Sequence, residues 1–255
     1  MEKLRIGALI SGTGSNLAAI MDACADGRIK GEIVFVGSDN PEAQGLARPR
    51  SEGIPVFVVP YSEVSRKFRE EPDRVPLPDD FSLSDIAAKQ QLVAQDSGRD
   101  RLRRYFAPRV LCEKMMLDRM AETPFDLLVL AGFMRVLTPY FLDRVNTDPG
   151  LPRIMNIHPA LLPAFPGTDG YGDTFAYGCK VGGCTVHFVD YGEDTGPIIG
   201  QASFPIEPGD TLADVKKKGL ELEWKLYPRC VDLFARGLLK VERPASGRRI
   251  VRIGR

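Results

Sequence analysis

The stretch LRIGALISGTGSNLAAIMDACADG, residues 4–27, is the part of the sequence that most clearly predicts the fold class. Residues 4–10 form a short apolar run that predicts a buried strand. Residues 11–16, SGTGSN, predict a glycine-rich turn, and residues 17–27 have helical spacing that stops at a glycine. A strand that passes through a tight turn into a helix is the opening of a β-α-β unit, which indicates a parallel sheet.

The same alternation continues along the chain and predicts an α/β protein with a Rossmann-like, mostly parallel twisted sheet flanked by helices. Further strands are predicted at 32–38, 55–59, 125–133 and 153–159. Helices are predicted at 41–53, 109–122 and 138–145. Residues 180–190 and 196–206 predict an antiparallel pair at one edge of the sheet, and 211–237 a long amphipathic helix.

No linker divides the chain, so we expect residues 1–255 to form a single domain. The charged, proline-containing segment at about 62–108 breaks the strand–helix rhythm and predicts an inserted excursion with one or two helices. Residues 238–255 contain a predicted C-terminal hairpin, which spans 238–253.

Charge and composition exclude several classes of partner. The chain has 34 Lys+Arg and 34 Asp+Glu residues, so it carries no charge footprint for nucleic acid or an anionic membrane. No apolar run approaches the ~20 residues that a membrane span needs, and the N-terminus does not resemble a signal peptide. The odd number of cysteines, five, favours reduced thiols. We therefore expect a cytoplasmic protein with small-molecule substrates, whose oligomeric state the sequence leaves open.

The sequence also argues against a metal site. Cys179, Cys184 and His187 lie close together in the chain, but their spacing fits no standard zinc pattern. Buried structural cysteines are the simpler interpretation, and we expect no metal.

The glycine-rich turn at 11–16 has the composition of a phosphate-binding turn, because glycines let the backbone approach an anion at a helix N-terminus. It lacks the Gly-Lys-Ser/Thr ending of a nucleotide P-loop, and Leu17 stands where the dinucleotide pattern needs its third glycine. The turn therefore suggests a single phosphate on a small ligand. A purely structural turn with Ser15 or Asn16 as helix cap would explain the same residues.

Asn156 and His158 fall two residues apart at the end of the predicted strand 153–159, so both side chains point to one face. Asp194 lies in a glycine-bounded loop between the two edge strands. Each residue has an ordinary structural explanation: a core histidine, an amide bonded to a loop, a turn aspartate. Together, without a nucleophile or a metal, they would suit a direct group transfer through an oxyanion.

Five motifs in this order resemble those of the phosphoribosylglycinamide formyltransferases, a branch of the formyltransferase superfamily. They are ISGTGSNL (10–17), LAGFMRVL (130–137), NIHPALLPAFPG (156–167), HFVDYGEDTGPII (187–199) and EWKLYP (223–228). The resemblance implies the formyltransferase fold, with a phosphate-binding half at 1–135 and a catalytic and folate-binding half at 136–237. It also implies formyl transfer from 10-formyltetrahydrofolate, as cosubstrate, to the amine of glycinamide ribonucleotide in purine biosynthesis.

The resemblance implies roles for individual residues. The catalytic trio would be Asn156, His158 and Asp194. The phosphate and ribose of the ribonucleotide would be bound by Gly14, Ser15, Asn16 and Glu223. The folate would be bound by Met134, Arg135, Val136, Leu137 and Asp190, with Arg109 for its glutamate tail and Arg101, Arg103 and Arg104 as competitors.

The chain departs from the family pattern near the acceptor. Leu220 stands where the family often offers Lys or Gln to the phosphate, Trp224 replaces a usual His, and residues 168–178 carry two additional glycines. Two alternatives therefore stay open. One is a formyltransferase with another acceptor or a 10-formyltetrahydrofolate hydrolase, and the other is a non-catalytic folate- or nucleotide-binding protein.

Overall fold

A computed structural model describes residues 2–72, 74–94, 96–148, 150–245 and 247–254. The strands are β1 (Leu4–Ile10), β2 (Gly31–Ser38), β3 (Val56–Val58), β4 (Leu127–Leu130), β5 (Ile154–His158), β6 (Val181–Phe188), β7 (Ile198–Pro205), β8 (Leu239–Glu242) and β9 (Ile250–Ile253). The helices are α1 (Ser15–Ala25), α2 (Ala47–Ser51), α3 (Tyr61–Glu70), α4 (Leu83–Lys89), α5 (Arg99–Ala121), α6 (Pro139–Val145), α7 (Gly170–Ala176) and α8 (Leu212–Ala235).

Seven strands form one sheet in the order β3-β2-β1-β4-β5-β6-β7. Neighbouring strands from β3 through β5 pair in parallel, whereas β6 is antiparallel to β5 and β7 is antiparallel to β6. The predicted fold class, a mostly parallel Rossmann-like sheet with an antiparallel edge, is confirmed. Because β6 runs antiparallel to β5, the β6–β7 loop begins beside the start of β5, where Val189 N–H donates to Ile154 O. From there the loop extends to His158, which Asp194 contacts.

Alternation along the strands divides the core into two layers. Ile6, Ala8 and Ile10 of β1 face the side covered by α1 and α8, whereas Leu9 faces the side covered by α5 and α6. Both layers are apolar because parallel strands are buried on both faces. Among the helices of the described ranges, none is both long enough and apolar enough to cross a bilayer.

Segment 62–108 contains more helix than predicted. Most of α3, all of α4 and the first ten residues of α5 fall in it, so α5 begins at Arg99 rather than near 109. Pro108 lies inside α5, although proline lacks the N–H that a helix interior uses. The helix continues through it because Leu102, Phe106 and Val110 pack on Ile86 of α4 and Tyr140 of α6.

The predicted helix at 41–53 is wrong in length. The structure has a three-residue 3₁₀ turn, Gln44–Leu46, followed by the short α2. Gly45 lies against the glycine-rich turn, and a Cβ built on it would come within 2.7 Å of Gly14 Cα. The close packing of these two backbone segments constrains the conformation of the stretch before α2. The predicted C-terminal hairpin is confirmed: β8 and β9 pair antiparallel.

Candidate active site

The carboxyl ends of β1, β4 and β5 surround a cavity of about 490 Å³. Ligands bind at this edge in open α/β sheets, and the volume suits a small-molecule site. All but one of the predicted site residues line it: Gly14, Ser15, Asn16, Met134, Arg135, Val136, Leu137, Asn156, His158, Asp190, Asp194 and Glu223. The exception is Arg109.

The glycine-rich turn forms one end of the cavity. Gly14 adopts a left-handed backbone conformation (φ 72°) and is itself the N-cap of α1, with no side-chain cap hydrogen bond. Neither Ser15 nor Asn16 therefore caps the helix, as the purely structural alternative would have it. Gly45 N–H donates to Gly12 O at 3.0 Å and holds the turn in place. The first turn of α1 carries no acidic residue, which leaves the positive end of the helix open to an anion.

Asn16 and Glu223 join α1 to α8 beneath this turn. Asn16 Nδ2 donates to Glu223 Oε2 at 2.6 Å, and Tyr171 Oη donates to Glu223 Oε1 at 2.7 Å. Burial raises the pKa of Glu223, although both hydrogen bonds favour its charged form. Asn16 Oδ1 is buried with no hydrogen-bond partner in the described protein. This oxygen gives the cavity an acceptor that the chain leaves unused.

Asn156 and His158 both reach the cavity from β5, as the two-residue spacing predicts. His158 is only 2% exposed. Its Nδ1 lies 3.1 Å from Asp194 Oδ2 and its Nε2 lies 2.7 Å from Phe165 O. Because both ring nitrogens meet oxygen acceptors, a protonated ring can donate at both ends.

The proline-rich loop after β5 bends back onto the residues that precede it. Phe165, which provides the carbonyl for His158, has a positive φ of 53°. Two residues later, Gly167 N–H donates to Asp194 Oδ2 at 2.9 Å. The loop thereby contacts both members of the His158–Asp194 pair and fixes their separation.

Asp194 enters from the β6–β7 loop with a positive φ of 53°, which is uncommon for a residue with a side chain. Burial would raise the pKa of its carboxyl, but hydrogen bonds from His158, His187 and the Gly167 amide outweigh burial and hold the pKa well below its usual range. For His158, burial would lower the pKa, but the hydrogen bond and charge of Asp194 outweigh it, so the pKa is raised. The pair therefore favours a carboxylate beside an imidazolium.

His187 is a member of this cluster that sequence reasoning missed. It pairs with Asn156 across β5 and β6, and its Nε2 lies 3.3 Å from Asn156 Nδ2 and 3.5 Å from Asp194 Oδ1. Its Nδ1 lies 2.9 Å from Phe188 O, which as a carbonyl accepts only, so Nδ1 carries a proton. Nε2 therefore lies between the Asn156 amide and the Asp194 carboxylate. Antiparallel register between residues 153–159 and 180–190 would have been the signal to find it.

The segment Met134–Leu137 forms another wall of the cavity. Met134 N–H donates to Ser11 Oγ at 2.8 Å, and Arg135 Nε donates to the buried Asp39 carboxylate at 2.5 Å. These contacts join the end of β4 to the ends of β1 and β2. Asp190 also lines the cavity, and its Oδ1 accepts hydrogen bonds from Gly192 N at 3.2 Å and Thr195 Oγ1 at 2.5 Å, which tighten the β6–β7 loop.

Arg109 does not line the cavity. Its guanidinium lies over the Tyr105 ring, 3.7 Å from the centroid, and donates to Tyr105 O at 2.7 Å. Both contacts stay within α5 and cover the turn at Pro108. Its role toward the folate tail stays a prediction.

The departures near the acceptor side occupy distinct places. Leu220 lines the cavity, and so does Lys216 one turn earlier on α8. Lys216 Nζ lies 3.3 Å from Asp169 Oδ1. Trp224 is 39% exposed and does not line the cavity. The structure thus offers a lysine on the same helix, displaced by one turn from the position where Leu220 stands.

Comparison with known proteins matches residues 4–231 to the family model described as "Formyl transferase". Phosphoribosylglycinamide formyltransferase of Mycobacterium tuberculosis (strain ATCC 25618 / H37Rv) is 35% identical over 251 residues, which cover 98% of this chain and 94% of that protein. Its counterpart in Escherichia coli (strain K12) is 33% identical over 243 residues, which cover 95% of this chain and 92% of that protein.

Solved structures give the same grouping. Glycinamide ribonucleotide transformylase 1 from Symbiobacterium toebii superposes with a TM-score of 0.70 at 36% identity, over 99% of this chain and 95% of that one. A formyltetrahydrofolate deformylase from Burkholderia mallei superposes with a TM-score of 0.67 at 21% identity, over 99% of this chain and 70% of that one, and supports the fold alone. With the family model spanning most of its length and relatives matched nearly end to end, the chain belongs to the formyl transferase family.

Proposed function

We propose that this protein transfers the formyl group of 10-formyltetrahydrofolate to the amine of glycinamide ribonucleotide, a step of purine biosynthesis. The observation that carries the proposal is the meeting of Asn156, His158 and Asp194 in one cavity whose other end is the N-terminus of α1. The relatives named for this reaction match nearly the whole chain. The proposal covers residues 1–255 as one domain, with a phosphate-binding half at 1–135 and a catalytic half at 136–237.

The mechanism is a direct attack of the ribonucleotide amine on the formyl carbon. The formyl oxygen gains negative charge, which the Asn156 amide and the His158 imidazolium stabilise. Asp194 keeps His158 charged and takes part in moving the proton from the attacking amine to the folate nitrogen that leaves. The Nε2–H of His158 faces Phe165 O, so this ring acts first through its charge and must leave that carbonyl before it donates to substrate.

The two substrates would occupy different parts of the cavity. The ribonucleotide phosphate would accept hydrogen bonds from backbone N–H groups at Gly14, Ser15 and Asn16 and from the Ser15 hydroxyl. Glu223 would contact the ribose. The folate would lie between Met134–Leu137 and the loop that carries Asp190, because these walls face each other across the trio. Arg109 remains our candidate for the glutamate tail. The mostly apolar lining, interrupted by a few convergent polar groups, suits a planar ring system.

Purified protein with 10-formyltetrahydrofolate, assayed by absorbance with and without glycinamide ribonucleotide, tests the function. We expect loss of the formyl group only when the ribonucleotide is present. Turnover without it would instead identify a hydrolase. Folate binding without turnover under either condition would identify a different acceptor or a non-catalytic relative.

The thiols, all five unpaired, also agree with our proposal of a cytoplasmic location.

A further inference from the structure

The β6–β7 loop that carries Asp190 and Asp194 has an outer side, which faces away from the cavity and contacts α4 and α6. Tyr191 points to this side. Its Oη donates to Asp143 Oδ1 of α6 at 2.5 Å, and its carbonyl accepts from Gln91 N–H at 3.0 Å. The two contacts hold one residue by its backbone and by its side chain.

A single carboxylate joins three elements at this point. While Asp143 Oδ1 accepts from Tyr191, Asp143 Oδ2 accepts from Lys89 Nζ at 2.7 Å. Lys89 is the last residue of α4 and also contacts Asp85 one turn earlier at 3.0 Å. Burial and the Asp143 hydrogen bond raise the pKa of Tyr191 to about 12, so its hydroxyl stays a donor at neutral pH.

The turn that follows α4 is held in its conformation by hydrogen bonds of the Gln90 side chain. Gln90 is 1% exposed, its Oε1 accepts from Leu92 N and Val93 N at 2.7 Å each, and its Nε2 donates to Val93 O at 2.8 Å. Ile86 of α4 packs into the apolar cluster shared with α5 and α6. α4 therefore packs on α5 and α6, and the turn that follows it contacts the outer side of the β6–β7 loop.

The N-terminus of α6 is likewise held by hydrogen bonds. Its N-cap residue Thr138 directly follows the cavity wall Met134–Leu137, and the buried Glu113 of α5 accepts from both Thr138 N at 2.7 Å and Thr138 Oγ1 at 2.5 Å. Asp143 thus belongs to the same rigid unit as the facing wall of the cavity. The hydrogen bond between Tyr191 and Asp143 therefore links the loop that carries Asp190 and Asp194 to the helix that follows Met134–Leu137.

We infer that Lys89, Asp143 and Tyr191 are positioning residues that set the β6–β7 loop, and with it the width of the folate pocket and the placement of Asp194. The inference rests on the proposed function, because it takes this loop as one wall of that pocket. It gives segment 62–108 a role that the family resemblance does not provide. The positive φ at Asp194 supports it, since such a backbone conformation persists only where the surroundings over-determine it.

The test is steady-state kinetics of Tyr191→Phe and Lys89→Met, with the KM for each substrate measured separately. We expect the KM for 10-formyltetrahydrofolate to rise roughly three- to tenfold, as for loss of a partly exposed hydrogen bond to a charged group. The KM for the ribonucleotide should change less than twofold, because the phosphate turn is on the other side of the cavity. Lys89→Arg, which keeps the charge, should restore most of the folate affinity.

Lys114→Met is the matched control. Lys114 also pairs with an aspartate one turn along its helix, at 2.6 Å, and its side chain is 42% exposed against 37% for Lys89. Unlike Lys89, it makes no ion pair with Asp143 among the described residues. Its kinetics should equal those of the wild type. The double variant Lys89→Met/Tyr191→Phe should fall short of the product of the single effects, because both act through Asp143.

Two results would overturn the inference. One is an unchanged folate KM in both single variants. The other is a kcat that decreases in proportion to the fraction of folded protein while both KM values stay constant. That result would mean that the contacts only stabilise the fold. Thermal unfolding of each variant and calorimetric titration with 10-formyltetrahydrofolate alone complete the design. The assay of the wild-type protein tests the proposed reaction. The ratio of folate affinities between variant and wild type tests the positioning role, and it does so whichever acceptor the protein uses.

Discussion

Asp194 holds His158 through a 3.1 Å contact between Oδ2 and Nδ1, and this contact raises the pKa of the imidazole against the effect of burial. Asp194→Asn removes the charge and keeps the shape. The pKa of His158 should then fall, so less imidazolium is present at neutral pH. We expect kcat to drop about 10²-fold and its optimum to move to lower pH, as measured by a pH–rate profile from pH 5.5 to 9. A profile of unchanged shape and position would contradict this assignment.

His158 and His187 should differ in importance although both contact Asp194. His158→Ala removes the cation beside the oxyanion, and we expect kcat to fall by ~10²–10³ while the ribonucleotide still binds. His187→Gln keeps a hydrogen-bonding side chain next to Asn156 and should lose only about tenfold, less than the ~10²–10³ that removal of an oxyanion donor costs. Single-turnover rates and equilibrium titration of the ribonucleotide separate chemistry from binding. Equal losses in the two variants would argue that the histidines act as one unit.

The phosphate turn makes a prediction about the acceptor. Ser15→Ala and Asn16→Ala should weaken binding of the ribonucleotide by about ten- to 150-fold, the range that corresponds to ~1.5–3 kcal/mol for a hydrogen bond to a charged group. Asn16→Ala also removes a partner of Glu223, so it should be the more severe of the two. Calorimetry with the phosphorylated acceptor and with its dephosphorylated form provides the check. If Ser15→Ala weakens both forms alike, the turn is structural and the phosphate lies elsewhere.

Glu113 should make stability depend on pH. Burial raises its pKa to about 8, although Thr138 donates two hydrogen bonds to its carboxylate. Between about pH 5 and 8 the folded protein then holds a proton that the unfolded chain, with its ordinary Glu pKa, has lost. The free energy of unfolding therefore decreases as pH rises, by up to about 1.4 kcal/mol per pH unit.

Urea unfolding at pH 6, 7 and 8 checks this dependence. Glu113→Gln removes the titrating group, so its stability should vary less with pH than that of the wild type. Glu122→Gln, at an exposed position one residue beyond α5, serves as the control and should keep the wild-type slope. Parallel pH dependence in wild type and Glu113→Gln would show that Glu113 is already ionised in the folded protein.

Much of the fold followed from local patterns in the sequence. The stretch at 4–27 predicted β1, its turn and α1, because apolar periodicity and glycine placement are short-range signals. The start of α5 at Arg99 did not follow, because the charged, proline-containing segment at about 62–108 has no clear helical periodicity. Packing of Phe106 on Ile86 and Tyr140, residues distant in sequence, supports the helix there.

The candidate site divides in the same way. Asn156 and His158 could be paired from sequence because strand alternation is a local property. His187 reaches Asn156 only through the register of β5 with β6, and Tyr171 reaches Glu223 only because α7 packs on α8. No periodic pattern in the sequence indicates either contact, because each joins residues that are distant in the chain. The Asp143 contacts to Lys89 and Tyr191 join three segments and were equally out of reach.

The C-terminal hairpin has a consequence for self-association. β7 is the last strand of the large sheet, and a bare edge strand offers unpaired N–H and C=O groups to any other chain. β9 contacts β7, Leu239 and Val251 pack against the core, and Arg248 donates to Thr195 O in the loop that precedes β7. By lying next to β7, the hairpin leaves less of this strand accessible to another chain, which would lower the tendency of the protein to aggregate through this edge.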